Sequence, residues 1–145
     1  MNTFYLSIGS NLDPQKNIPA ALDLLRKKFP KITFSAIYET DPVGPAGDQK
    51  FWNLAAKIET KLIRQRLFVE LRRLEEKLGR RRTSNKFAPR PIDLDILPQP
   101  EYQKQAFIVI PLAEIAPDEK DPATGKTFGE LGREIKKWAK DFKRI

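Results

Sequence analysis

Histidine and cysteine are both absent from this 145-residue sequence, and each absence removes a class of chemistry. Without cysteine there is neither a disulfide framework nor a thiolate metal centre. Without histidine there is no imidazole general base, no Ser-His-Asp triad and no His-ligated zinc. Any metal has to be held by oxygen, which favours hard ions such as magnesium. Long apolar runs are missing too: nothing approaches the roughly 18 consecutive residues of a membrane-spanning helix. The opening MNTFYLSIGS lacks the basic start and apolar block of a secretory signal. A cytoplasmic protein without membrane attachment is the expectation. There is no internal repeat and no low-complexity segment.

Positive charge is present in excess: 27 Lys and Arg stand against 19 Asp and Glu, a net charge of +8. That balance favours an anionic partner, whether nucleic acid, acidic membrane or polyphosphate, with a solvated basic surface as the plain alternative. With 40% hydrophobic and 32% charged residues, the chain reads as one globular domain spanning 1–145, large enough to bury a core, and a monomer is expected.

The pattern along the chain alternates strands and helices. TFYLSIG (3–9) alternates as a first strand. Asp13 before Pro14 marks a helix start, and Leu22, Leu25 and Phe29 continue a helical stripe to Pro30. ITFSAIYET (32–40) is rich in branched and aromatic residues and reads as a second strand. DPVGPAGDQ (41–49) is a loop, and FWNLAAKIET (51–60) a third strand. Leu67, Leu71, Leu74 and Leu78 place a helix over about 63–78, stopped by Gly79. RRRTSNKFAPRP (80–91) is a basic loop, IDLDIL (92–97) a fourth strand and AFIVI (106–110) a fifth. FGELGREIKKWAKDFKRI (128–145) reads as a basic C-terminal helix. The order β-α-β-β-α-β, then β and α, implies an α+β domain with a largely antiparallel sheet and helices packed on it.

Two acids stand in the fourth strand, where Asp is disfavoured. Asp93 and Asp95 share one face, with Ile92, Leu94 and Ile96 on the other. Two carboxylates roughly 7 Å apart repel, and a divalent cation between them removes that problem. A strand with one solvated face is the bland alternative, because D-x-D alone is a weak motif. Arg80, Arg81, Arg82, Lys86 and Arg90 lie just upstream. Acids for magnesium beside cations for phosphate oxygens are what phosphoryl transfer needs; a nucleic-acid contact is the other reading of that loop. In DPVGPAGDQKFWN, Phe51 and Asn53 share a strand face, so one can stack on a flat ring while the other hydrogen-bonds its edge. Phe51 as ordinary core is the alternative, and Trp52, Phe87 and Phe107 are ambiguous in the same way.

Four blocks, SIGSNLDPQKNI, IYETDPVGPAGDQKFWNLAAKIET, LEEKLGRRRTSNKFAPRPIDLDIL and AFIVIPLAEIAPD, occur in an order and spacing that resembles the 6-hydroxymethyl-7,8-dihydropterin pyrophosphokinase family of folate biosynthesis. The likeness runs to about Asp118, and the P-R-x-x-D-L-D-I block is its most specific part. It implies a ferredoxin-like fold and transfer of pyrophosphate from ATP, as co-substrate, to the pterin hydroxymethyl group. It further implies that Asp93 and Asp95 hold two magnesium ions and that Arg80 and Arg90 are the catalytic arginines gripping the transferring phosphates. Thr40, Pro42, Val43, Phe51, Asn53 and Phe107 match the pterin pocket, with the ring between Phe51 and Phe107. Glu75, Arg82, Lys86 and Ile96 match nucleotide-site positions. Small-molecule substrates, and neither nucleic acid nor membrane, are the partners so implied.

The sequence also departs from that family. A strand-turn segment usual after D-L-D-I is missing, and Leu97 runs straight into PQPEYQKQAF. Gln99 stands where the family has His, Gln105 where it has Arg, and Phe87 where it usually has Trp. Neutral Gln cannot make the charge-assisted contact of Arg or protonated His, worth roughly 1.5–3 kcal/mol each. Two alternatives to an efficient enzyme therefore stand: a weakened relative that binds pterin, and a basic nucleic-acid-binding domain.

Overall fold

The segments that alternate most cleanly become the spine of the sheet. The computed structural model describes residues 1–41, 50–81, 90–139 and 142–145. In it the chain runs β1 (Asn2–Ser10), α1 (Pro14–Lys28), β2 (Ile32–Phe34), β3 (Tyr38–Thr40), β4 (Phe51–Thr60), α2 (Arg64–Lys77), β5 (Asp93–Ile96), α3 (Ala106–Ile115), α4 (Phe128–Lys136) and β6 (Lys143–Arg144), with a 3-10 turn at Tyr102–Lys104. β1 and β4 pair antiparallel from Asn2↔Thr60 to Ser10↔Trp52. The sheet order is β5-β1-β4-β3-β6, with β2 also on β4, and every pairing is antiparallel. Among the described residues, this open antiparallel sheet with four helices packed on it is the expected α+β, ferredoxin-like arrangement. Among the described residues no helix is long and apolar enough to cross a membrane.

Period-two alternation gives the sheet two different faces. Leu6, Ile8, Leu54, Ala56, Ile58, Leu94 and Ile96 point to one, where Ile18, Ala21 and Leu25 of α1 and Leu67 and Leu71 of α2 close a fully apolar core. Burying each large side chain there contributes roughly 1.5–3 kcal/mol. The other face carries Tyr5, Tyr38 and Ala55 and is covered by α3 and α4 through Ile108, Val109, Leu112, Phe128, Leu131 and Ile135.

The segment 32–40, expected as one strand, is two. Phe34 pairs with Ala56, but Tyr38 pairs with Asn53, so residues 35–37 oppose only 54 and 55. One extra residue makes a β-bulge, and an odd insertion flips everything after it to the opposite face. Ile32 and Phe34 accordingly pack toward α1 and α2, whereas Tyr38 packs under α3 and Thr40, paired with Phe51, shares its face. The groups that the bulge takes out of the ladder find other partners. Ser35 Oγ accepts from the Ala55 amide at 2.9 Å, and Glu114 of α3 accepts from the Ala36 amide at 2.7 Å and the Tyr38 hydroxyl at 2.5 Å.

Two further expectations are corrected. AFIVI is not a fifth strand but the start of α3. An apolar run has no readable period when every side chain is buried, and Ile108 through Leu112 are all buried beneath the sheet and α4. The C-terminal helix is shorter than 128–145. It begins at a capping box, in which Thr127 accepts from the Glu130 amide and Glu130 from the Thr127 amide, and ends at Lys136. Lys143 and Arg144 then extend the sheet along β3, and Phe142 packs on Tyr38 at 5.3 Å between ring centres.

The turn that leads into α3 hangs on one buried acid. Asp121, 1% exposed, accepts from Tyr102 (2.6 Å), Gln103 (3.1 Å), and the Thr124 hydroxyl (2.7 Å) and amide (3.0 Å). Burial works to raise its pKa, but these donors outweigh burial and lower it. A carboxyl depressed by folding contributes stability that is present above its unfolded value of about 3.9 and lost as pH falls through the folded value. Asp121→Asn is expected to cost about 2–4 kcal/mol at neutral pH by urea denaturation. The gap from wild type should close as pH drops below about 4.

Candidate functional site

One row of residues crosses four strands on the face beneath α3. Tyr38 pairs with Asn53, Asn53 with Gly9, and Gly9 with Asp93. Strand spacing puts Asn53 and Asp93 roughly 10 Å apart. At one end Asn53, 4% exposed, donates to Thr40 Oγ1 at 3.1 Å. Phe51, half-buried, is on the same face next to them, and half-buried Phe107 stands in the first turn of α3. Gly9 lies between the two ends. A Cβ there would meet Asn53 Oδ1 at 2.9 Å, so the glycine leaves the floor bare.

The other end is charged. Asp93 pairs with Gly9 and Asp95 with Ser7, so both carboxylates share the face of Asn53 while Leu94 and Ile96 enter the core. Asp93 Oδ1 accepts from Arg80 at 2.5 Å and Oδ2 from Arg90 at 2.9 Å. Arg80 also donates to Glu75 Oε2 at 2.9 Å and to the Ile92 carbonyl at 3.2 Å. Glu75 Oε1 accepts from Arg72 at 2.6 Å. Charges therefore alternate along Arg72–Glu75–Arg80–Asp93–Arg90. Burial pushes the Glu75 carboxyl up to about 7 against the opposing pull of the Leu94 amide, Arg80 and Arg72. Burial also raises Asp95, and Asp93 beside it raises it further, while Arg72 and Arg80 pull it back. Burial is the larger cause, so the rise reflects the poor solvation of two close carboxylates more than a shortage of cations.

Two close, poorly solvated carboxylates suit a divalent ion. Among the described residues no cluster of three His, Cys, Asp or Glu side chains forms a closed metal cage. Two carboxylates on one strand are nonetheless the donor set that magnesium uses when substrate phosphates and water complete its octahedron.

The remaining sequence-derived positions fall differently. Ile96 is buried in the α1/α2 core, so its carbonyl is what faces outward, accepting from Gln99 at 2.8 Å and Arg64 at 3.3 Å. Glu75 lies beneath the charged row, 1% exposed. Gln105 holds the N-cap position of α3 without a side-chain cap hydrogen bond, two residues before Phe107. Pro42, Val43, Arg82, Lys86 and Phe87 lie outside the described residues. Three site residues escaped the sequence reading: Gly9, Asn11 and Arg72. A glycine inside a strand marks close approach, which could have flagged Gly9. Arg72 is one helical turn before Glu75, a spacing that places the pair on one face. Asn11, whose Oδ1 accepts from the Arg90 amide at 2.6 Å, left no local signal, because its partner is distant in sequence.

Comparison with known proteins identifies the family. Residues 5–117 match the family model described as 7,8-dihydro-6-hydroxymethylpterin-pyrophosphokinase (HPPK). The chain is 35% identical to the 2-amino-4-hydroxy-6-hydroxymethyldihydropteridine pyrophosphokinase of Pseudomonas aeruginosa, over 88% of each chain. It is 34% identical to the enzyme of that name from Haemophilus influenzae, over 81% of this chain and 84% of the relative. Identity to the Aquifex aeolicus enzyme is 32%, over 90% of this chain and 91% of the relative. With the fold, the acidic strand and the match across most of its length in agreement, this chain belongs to the 7,8-dihydro-6-hydroxymethylpterin-pyrophosphokinase family.

Proposed function

We propose that this chain transfers pyrophosphate from ATP to 6-hydroxymethyl-7,8-dihydropterin, giving AMP and the pterin diphosphate, and that it works as a monomer in the cytoplasm. The observation that carries the reading is the single row from Thr40 and Asn53 across bare Gly9 to Asp93. It puts Asn53 and Thr40, with Phe51 next to them, at one end and the carboxylate-arginine cluster at the other, on one sheet face.

Each end has a distinct task. Asn53 and Thr40 would hydrogen-bond the pterin edge, with Phe51 and Phe107 stacking on its faces and Pro42 and Val43 completing the pocket. The hydroxymethyl oxygen attacks the β-phosphorus. The bond from that phosphorus to the α–β bridging oxygen breaks, AMP leaves with the oxygen, and the hydroxyl proton is released. Asp93 and Asp95 would hold two magnesium ions, which when bound neutralise phosphate charge and orient the chain of phosphates. Arg80 and Arg90, already parked on Asp93, have a second anion to turn to when phosphates arrive. Glu75 holds Arg80 from beneath, Arg82 and Lys86 add charge toward the nucleotide, and the main chain at Ile96 borders its base. Positioning and charge neutralisation supply most of the catalysis in such transfers.

Three outcomes test this reading. Asp93→Ala and Asp95→Ala are each expected to cut AMP release by about a hundredfold or more, with circular dichroism unchanged. Normal turnover and normal magnesium dependence in either would remove the metal assignment. Asn53→Ala is expected to weaken pterin binding by about 1–3 kcal/mol in calorimetry while an ATP analogue binds as before. The third concerns Gln99 and Gln105. Gln99 is turned back on the β5 main chain and Gln105 carries no charge, so ATP affinity should be poor beside ordinary pterin affinity. Gln105→Arg is expected to tighten binding of an ATP analogue by about 1–3 kcal/mol without moving the pterin dissociation constant. An absence of nucleotide binding in both proteins would favour a pterin-binding relative without turnover.

A further inference from the structure

Asn11 follows β1 and is 1% exposed. Its Oδ1 accepts the Arg90 amide at 2.6 Å. From the other side, the Asn11 and Leu12 amides both donate to the Arg90 carbonyl at 3.1 Å. Arg90 is thus held at its amide and its carbonyl by one two-residue segment, while its guanidinium donates to Asp93 Oδ2 at 2.9 Å. The neighbours of Arg90 in sequence are Pro89 and Pro91. Proline has no amide hydrogen, so Arg90 supplies the sole main-chain donor of that tripeptide. The carboxamide orientation follows from its partner, because an amide N–H requires the oxygen and not the nitrogen at that position. Asn11 Nδ2 is then left buried without a hydrogen-bond partner. A buried orphan donor is unfavourable, so the side chain occupies this place for its oxygen.

We propose that Asn11 is a positioning residue for the transfer step: it registers the Arg90 main chain against the end of β1, so that the guanidinium is delivered to the phosphate side of Asp93. The proposal rests on the reading of Arg90 as a phosphate-gripping residue. It goes beyond that reading in assigning the precision of Arg90 to a side chain that touches neither substrate. Misplacement of a charge by about 1 Å can cost a hundredfold in rate, and the loss should fall on kcat, since ground-state pterin contacts lie two strands away at Asn53.

The test is a double-mutant cycle of Asn11→Ala and Arg90→Ala, with kcat and KM for both substrates and amide hydrogen exchange at residue 90. Asn11→Ala is expected to lower kcat by about tenfold or more, to leave the pterin KM unchanged and to speed exchange at the Arg90 amide. In the Arg90→Ala background it should add nothing, because its effect passes through Arg90. Asn11→Asp keeps an oxygen acceptor for the Arg90 amide but puts a second carboxyl oxygen, and with it a buried charge, where the orphan N–H was, so its turnover should fall below wild type yet exceed that of Asn11→Ala; it carries the test should Asn11→Ala not fold. Wild-type kcat in Asn11→Ala, losses that multiply in the double mutant, or a folded Asn11→Asp as slow as Asn11→Ala would each overturn the proposal while leaving Arg90's role intact. Normal turnover in Arg90→Ala would instead sink both readings, and is seen without reference to Asn11.

Discussion

Glu75 Oε2 accepts from the Leu94 amide at 2.7 Å and from Arg80 at 2.9 Å, and Oε1 accepts from Arg72 at 2.6 Å. That one carboxylate joins α2 to the edge strand and the edge strand to the charged cluster. β5 is an edge strand, and an unpaired edge amide buried from water would be costly. Glu75 supplies the acceptor for it, while Arg64 from the same helix donates to the Ile96 and Leu97 carbonyls at 3.3 and 3.1 Å. A helix side thus takes the place of a neighbouring strand. Removing one partner of such a buried ionic arrangement typically costs about 3–5 kcal/mol, so the fold and the site share one set of bonds.

The same bonds set the electrostatics of the site. Arg72, Arg80 and Arg90 face Glu75, Asp93 and Asp95: three cations against three acids. Such a balanced cluster can be buried without ligand. Arginine suits this place because its planar fork can bridge two carboxylates, as Arg80 does between Glu75 and Asp93. The basic excess of the whole chain adds a long-range attraction for anionic ligands, screened beyond about 10 Å at ordinary salt.

Much of this is legible in the sequence. Alternation in 3–9 and 51–60 and the leucine stripe of 63–78 were readable because each element buries one face only. The acidic pair Asp93 and Asp95 stood out because Asp resists strands. α3 was misread for the opposite reason: a helix buried on every side shows no period. The Tyr102–Asp121 turn and the Asn11–Arg90 clamp were invisible, since each joins residues whose proximity no local pattern encodes.

The sequence by itself supplied the candidates for chemistry: oxygen ligands only, a D-x-D strand, a run of arginines, and Phe51 beside Asn53. Tertiary structure alone decided which of them meet. Thr40 is the clearest instance. In an unbroken strand it would keep the parity of Ile32 and Phe34 and point into the α1/α2 core. The extra residue at 35–37, held by Ser35 and Glu114, turns it to the other face and onto Asn53. Side-chain direction in a sheet depends on register with a partner strand, and register is a property of the pairing, not of either segment alone.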